Sequence, residues 1–389
     1  MKRFTVRKIF MAVAVVGFVL GFLGTGILQA QDTYRLGGSV AVTGKLAHFG
    51  AWHTRGANLA LEDLAAKGWI GGKKLEILWE DNEYEPRKAI TTFNKLVFMD
   101  KVNVILAGGS PIVRALSPLA EQNKVIQLYC TTSNEEIKKG GNYTFKIMGG
   151  QVTEMYALAK YAYDNLKAKT VGLIGSDTEY GQGGMKLFKK YFEKMGGKIT
   201  AMESVRPGER DYSSVLMRIN NAKPDAIAVV QTSVEGGYVA KYLKRLGIQS
   251  KFLGGMNLYS AETLTTGGGD CEGMYVVGYQ FDPEKGTAAM KAFSQKFEKK
   301  YNAGFPNIIS AVAYDAVMLY AKALENNAKT PDQIYDFFRK KLGKYEGVSG
   351  TIVFDSFSEN MPTHRILQVK DGKFVEVHQF AKFTEKETQ

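Results

Sequence analysis

From Leu36 onward, short apolar runs alternate with segments whose apolar side chains recur every three or four positions. The runs read as buried strands and the periodic segments as helices lying against them. Leu36–Val42, Lys74–Trp79, Val102–Ala107 and Val125–Tyr129 are the strands of the first half. Helices are expected over Ala51–Lys67, over Ala89–Phe98 with Pro86 in its first turn, and from Pro111 onward. This βαβα order predicts a parallel sheet covered on both faces.

The pattern then restarts. Helices at Thr153–Leu166, Gly184–Met195, Tyr212–Asn220 and Val234–Leu246 alternate with strands at Thr170–Ile174, Ile199–Glu203 and Asp225–Val230. Gly71-Gly72-Lys73 and Gly196-Gly197-Lys198 occupy equivalent places, each ahead of a strand, a helix and another strand. The halves therefore repeat an architecture rather than a sequence. The later elements are helices at Thr287–Tyr301 and Ile308–Glu325, a short helix from Pro331, a strand at Gly350–Phe354 and a hairpin around Asp371-Gly372. They must complete lobes already built, so the chain has to cross between lobes more than once. No Pro/Ser-rich tether separates the halves, which favours a multi-stranded hinge. The expected fold class is α/β, with two doubly wound three-layer lobes joined by that hinge.

The first thirty residues follow a different rule. Lys2, Arg3, Arg7 and Lys8 precede a stretch from Ile9 to Gln31 without a charge, ending in small residues at Ala30. This predicts a secretory signal peptide cleaved after Ala30, with an uncleaved membrane anchor as the competing reading. The whole chain of 389 residues carries a net charge of +12, which invites a nucleic-acid reading. Loss of the leader leaves 47 basic against 39 acidic residues, or +8. The remaining lysines, such as Lys186, Lys189, Lys190 and Lys194, are interleaved with acids as on a solvated helix face, and nucleic acid is not an expected partner. With 2 Cys and 4 His, neither a disulfide scaffold nor a thiolate or histidine metal site is expected. Cys130 and Cys271 fall in different lobes and should be free.

In open α/β sheets, ligands bind beyond the carboxyl ends of the strands. That rule selects Thr43-Gly44, Gly109-Ser110 and Thr131-Thr132-Ser133 in the first lobe. In the second it selects Gly175-Ser176-Asp177, Gln231-Thr232-Ser233 and Gly255-Met256-Asn257. These are hydroxyls, amides and glycines. Ser110 stands at the start of a helix, where free N–H groups and the dipole favour an anion, although a simple capping role is the plainer reading. Catalytic signatures are missing: Gly181-Gln182-Gly183-Gly184 lacks a P-loop ending, and neither GxSxG nor HExxH occurs. His48 and His53 are five apart, off the register of a helical metal pair.

Taken together, these features resemble the periplasmic substrate-binding proteins of ABC importers, branched-chain amino-acid type, with the type I periplasmic binding protein fold. The resemblance spans residues 33–380. It is carried by Thr43-Gly44 with His48-Phe49-Gly50, Gly56-Ala57 to Gly68, Gly71-Gly72-Lys73-Lys74-Leu75, Asp81 to Pro86 and Gly108-Gly109-Ser110. It continues through Thr131–Ser133, Asp177 to Gly181 and Gly208 to Tyr212. It implies three hinge crossings, with a first lobe of residues 31–148 plus 280–350 and a second of 149–279 plus 351–389. It also implies that Ser110, Thr131 and Ser133 hold a ligand carboxylate while Phe49 and Tyr180 line the cleft, with Ser233 and Asn257 as further candidates. The family supplies an acid for the ligand ammonium shortly after a Phe-x-Gly strand. Here Phe252-Leu253-Gly254-Gly255-Met256-Asn257 offers none, and Glu235 or Glu262 would have to substitute.

The resulting expectation is a periplasmic, non-catalytic, monomeric binder of an amino acid or related small carboxylate, with no cofactor and no metal. It would deliver its ligand to a membrane permease. An aromatic or aliphatic acid, or an amide, lacking the ammonium is the alternative ligand. The rivals from other classes are an exported α/β hydrolase and the ligand-sensing ectodomain of an anchored receptor.

Overall fold

The computed structural model describes residues 33–130, 141–354, 360, 363–381 and 383. The predicted leader lies outside them. The first half contains β1 (Tyr34–Val40), α1 (Ala47–Ala66), β2 (Leu75–Asp81), α2 (Pro86–Asn94), β3 (Val104–Ala107), α3 (Ser110–Gln122), β4 (Ile126–Tyr129) and β5 (Thr144–Lys146). Its strands form one parallel sheet in the order β2-β1-β3-β4-β5. All residues of β3 and β4 are buried, as in a parallel strand covered by helices on both faces, and the polar Gln127 of β4 accepts the Ser117 and Thr144 hydroxyls there.

The second half contains α4 (Gln151–Lys160), β6 (Thr170–Ser176), α5 (Glu179–Lys194), β7 (Lys198–Val205), α6 (Ser213–Asn220), β8 (Ala226–Val230), α7 (Ser233–Arg245), β9 (Lys251–Gly254), α8 (Ala261–Gly267) and β10 (Tyr275–Gly278). These strands pair in parallel as β7-β6-β8-β9-β10, the same winding as the first sheet. The hairpin β13 (Arg365–Lys370) and β14 (Lys373–Gln379) extends this sheet antiparallel, turning at Asp371-Gly372. The architectural repeat is thus real at the level of strand order.

α9 (Ala288–Tyr301) and α10 (Ile308–Glu325) return to the first lobe and pack on α1. Lys296 and Lys300 pair with Asp63 and Glu62 of α1, and the Tyr314 phenol donates to Asp63 at 2.7 Å. Asp315 of α10, fully buried, accepts the backbone N–H groups of Val348 (2.9 Å) and Ser349 (2.7 Å), and so anchors the small hairpin β11 (Tyr345–Glu346) and β12 (Thr351–Ile352). Desolvation raises the Asp315 carboxyl to about 6.

Segments 147–150 and 279–287 run between the sheets, and the described residues 353, 354, 360, 363 and 364 belong to a third such stretch. They are bonded to one another. The Tyr279 phenol donates to Gly149 O (3.1 Å), and the Asn360 amide donates to Ile147 O (3.0 Å). Arg365, 5% exposed, donates to Tyr279 O (2.9 Å), Phe281 O, Asp282 (2.6 Å), Glu376 (3.2 Å) and the Tyr259 hydroxyl (3.2 Å). Several short crossings stitched this way act as a hinge, unlike a flexible linker.

His364 sits in the same junction, with its ring 4.8 Å from that of Tyr279 and 5.8 Å from that of Phe383. Among the described residues neither of its nitrogens has a partner, and burial pushes its pKa down to about 3. A histidine lowered in the folded state contributes stability that is complete above its unfolded value near 6.5. That stability drains away as pH falls toward 3. His364→Leu should therefore gain on the parent as pH falls. The difference in unfolding free energy is expected to be about 2 kcal/mol larger at pH 5 than at pH 8 in urea titrations. An equal difference at both pH values would mean that the imidazole is hydrated and titrates normally.

Candidate functional site

The carboxyl edges of the two parallel sheets face each other. Between them opens a groove of about 540 Å³, lined by Gly44, Leu46, Glu83, Tyr84 and Pro111 from one side and Asp177, Thr178, Glu179 and Pro207 from the other. Two contacts hold the edges together. The Trp52 indole N–H on α1 donates to Glu262 on α8 at 2.6 Å, and Arg114 on α3 pairs with Glu179 on α5 at 2.6 Å. The lobes are therefore closed on each other.

Local geometry explains how the first-lobe residues reach this edge. Gly109 adopts φ +95, a left-handed value that glycine reaches without strain, and this turns the chain sharply from β3 into α3. Gly109, rather than Ser110, is the capping residue, and the helix begins one residue earlier than Pro111 suggested. Ser110 is buried, with its hydroxyl 3.2 Å from the Tyr129 phenol. Phe49 lies in the first turn of α1 within an aromatic cluster. Its ring centroid is 4.9 Å from Trp52, 5.8 Å from His48 and 5.7 Å from Tyr84. Tyr84 was not legible as a site residue. It is carried there by two consecutive left-handed residues, Glu83 (φ +48) and Tyr84 itself (φ +63), with its backbone N–H bonded to Asn82 at 2.9 Å. Thr131 and Ser133 lie outside the described residues.

On the second lobe, Tyr180 is buried in the first turn of α5, Ser233 begins α7, and Asn257 is buried in the tight turn that follows β9. The Ser233 hydroxyl has no partner among the described residues, nor do Gln231 Nε2, Gln231 Oε1 and, across the cleft, His48 Nε2. Burial lowers the His48 imidazole to about 4, so it is neutral and offers a donor or an acceptor but no charge. Of the acids considered from sequence, Glu235 is occupied: it accepts the Gly208 N–H at 2.6 Å and bonds the Thr232 hydroxyl. Glu262 is the Trp52 partner. The acid that sequence reasoning missed is Glu154. It sits inside a helical segment with no motif around it, yet it meets Tyr180 and Met256 in space.

Among the described residues no group of three or more His, Cys, Asp and Glu side chains could hold a metal. Cys130 and Cys271 are free and buried, and burial raises the Cys271 thiol to about 11 and the Cys130 thiol further still. Buried thiols held protonated are poor nucleophiles.

This arrangement is two hinged lobes closed over a groove. The chain belongs to the periplasmic binding protein family, whose model matches residues 33–373. It is 25% identical over 362 residues to the leucine-, isoleucine-, valine-, threonine- and alanine-binding protein of Pseudomonas aeruginosa, covering 91% of this chain and 93% of that one. It resembles the branched-chain amino acid transporter substrate binding protein LivJ of Streptococcus pneumoniae, solved in complex with isoleucine. That match has a TM-score of 0.81 and 26% identity, over 90% of this chain and 99% of that one. A solute binding protein of an ABC transporter from Rhodopseudomonas palustris, in complex with 3,4-dihydroxy benzoic acid, shares the fold. Its TM-score is 0.83 at 24% identity, over 92% of this chain and 100% of that one. The members of this family named here are binding proteins rather than enzymes.

Proposed function

We propose that the chain is exported with cleavage after Ala30, acts in the periplasm as a monomer without catalysis, and binds an amino acid or related small carboxylate between its lobes. The lobes are taken as residues 31–148 plus 280–350 and 149–279 plus 351–389. The closed form would be presented to the membrane permease of an ABC importer. The observation that carries this reading is the set of buried polar atoms on Gln231, Ser233 and His48 around the cleft that have no partner among the described residues. Buried polar groups in native proteins are nearly always paired, so such a set is ready to receive a polar ligand.

On this reading the carboxylate rests on Ser110 at the α3 N-terminus, with Thr131 and Ser133 beside it. Phe49, Trp52 and Tyr84 wall the apolar part. Two or three charge-assisted hydrogen bonds at about 1.5–3 kcal/mol each, together with apolar burial, reach the ~8 kcal/mol of a micromolar site. The ligands named for the Pseudomonas and Streptococcus relatives support an amino acid. Met256 and Asn257, standing where an acid would face an ammonium, favour the second reading, a carboxylate without one.

A thermal-shift panel on the mature protein tests both. It contains leucine, valine, phenylalanine, benzoate, 3-phenylpropanoate, a medium-chain fatty acid and short amides. At a hundredfold excess over Kd, a true ligand should add about 2.7 kcal/mol of stability. Ser110→Ala should weaken it about tenfold, the equivalent of one hydrogen bond. A ligand with no carboxylate that binds Ser110→Ala as tightly as the parent would sink the anion site.

A further inference from the structure

Glu154 is a buried acid that meets two residues at the carboxyl edge of the second sheet, Tyr180 and Met256. It lies in the first turn of α4, immediately beyond a hinge crossing, and is fully buried. One carboxylate oxygen, Oε1, accepts the Met256 backbone N–H at 2.9 Å and the Tyr180 phenol at 3.1 Å. It therefore reaches the carboxyl end of β9 from a helix 102 residues away in sequence. Gly255 leaves room for this convergence: a Cβ there would stand 2.9 Å from the Tyr180 oxygen and 3.0 Å from Glu154 Oε1.

The other oxygen, Oε2, is buried with no partner among the described residues. The Met256 N–H and the Tyr180 phenol facing Oε1 are both uncharged donors, and among the described residues no cation offsets the carboxylate. Desolvation accordingly raises it to about 7. The Tyr180 phenol is pushed up too, by burial and then by Glu154, so it stays neutral. Anchoring Met256 and Tyr180 needs only one oxygen. An orphaned carboxylate oxygen in a dry site is costly unless something donates to it. Glu235 has both oxygens engaged. Glu262 also leaves Oε2 without a partner among the described residues, but its Oε1 accepts the Trp52 indole at the lobe contact, whereas Glu154 Oε1 is fixed by Met256 and Tyr180 at the end of β9.

Building on the cleft reading above, we propose that Glu154 is the acid that recognises the cationic end of the ligand: Oε2 receives the ammonium of an amino acid whose carboxylate rests on the first lobe. The ligand class is then a zwitterion, and the acid absent from the end of β9 is delivered from α4.

Isothermal titration of the mature parent, Glu154→Gln and Glu262→Gln tests this. The ligands are the twenty protein amino acids and three deaminated counterparts: 4-methylpentanoate, 3-phenylpropanoate and propanoate. The parent should prefer its amino acid at least thirtyfold over the deaminated acid. Glu154→Gln, which keeps an acceptor for Met256 and Tyr180, should erase that preference while binding the deaminated acid within threefold of the parent. Glu262→Gln should leave the preference intact. Titration of the parent at pH 7 in buffers of different ionisation enthalpy should show release of about half a proton on amino-acid binding, and none in Glu154→Gln.

Discrimination retained in Glu154→Gln, or lost in Glu262→Gln, overturns the proposal. Binding of acids without an amine and of no amino acid overturns it while leaving the carboxylate reading intact. Binding of neither class overturns both.

Discussion

Gly56→Ala is expected to destabilise the first lobe by about 3 kcal/mol, although alanine is the better helix former. Gly56 lies in the middle of α1, where glycine should cost stability relative to alanine. At this position α1 meets α10 backbone to backbone, and a Cβ on residue 56 would fall inside the contact radius of the Ser310 carbonyl. No side-chain rotamer can relieve a clash with a carbonyl, so α1 would have to move away from α10. Gly50, one and a half turns earlier, meets the Ala41 carbonyl in the same way. A displaced α1 would also misplace Phe49 and Trp52, so the variant should lose ligand affinity along with stability. Chemical denaturation of parent and variant measures this. A variant as stable as the parent would show that the α1–α10 approach is looser than described.

Arg365→Met should cost about 3–5 kcal/mol, because removing one member of a buried charge network strands the rest. The substitution leaves the carbonyls of Tyr279 and Phe281 and the Asp282 carboxylate without their guanidinium donor. Methionine fills much of the same volume, which isolates the electrostatic loss from a cavity effect. These contacts tie the second crossing to β13, where the third crossing ends, so a functional effect should accompany the loss of stability. The expected pattern is a lower denaturation midpoint together with weaker ligand binding, since a slack hinge no longer preorganises the closed cleft. A loss below about 1 kcal/mol would mean that water replaces the guanidinium in the junction.

The elements were largely legible along the chain, and the places where they were not have physical causes. The helix expected at Gly184–Met195 begins at Glu179, because Gly181, Gly183 and Gly184 depress helix propensity. Packing overrides that preference: a Cβ on Gly184 would stand 2.6 Å from the Gln151 amide and 2.7 Å from Val230, so glycine is what fits at that position. β5, only 3 residues long, and β10, which follows a glycine-rich stretch, went unread. The site was legible only as strand-end loops. Ser110, Phe49, Tyr180, Ser233 and Asn257 are all placed at those ends. Tyr84 and Glu154 gave no signal, one depending on two left-handed residues and the other on a helix from across the lobe.

By itself the sequence determined the winding of both lobes and the strand ends that are proposed to hold a ligand. Strand burial and helix amphipathicity are periodic properties of a single element, written residue by residue. Only the tertiary structure decided which atoms meet in the cleft. Trp52 and Glu262 are 210 positions apart and Glu154 and Met256 are 102 apart. Such pairs depend on how whole elements are placed relative to one another, and no local pattern of hydrophobic and polar residues encodes that placement.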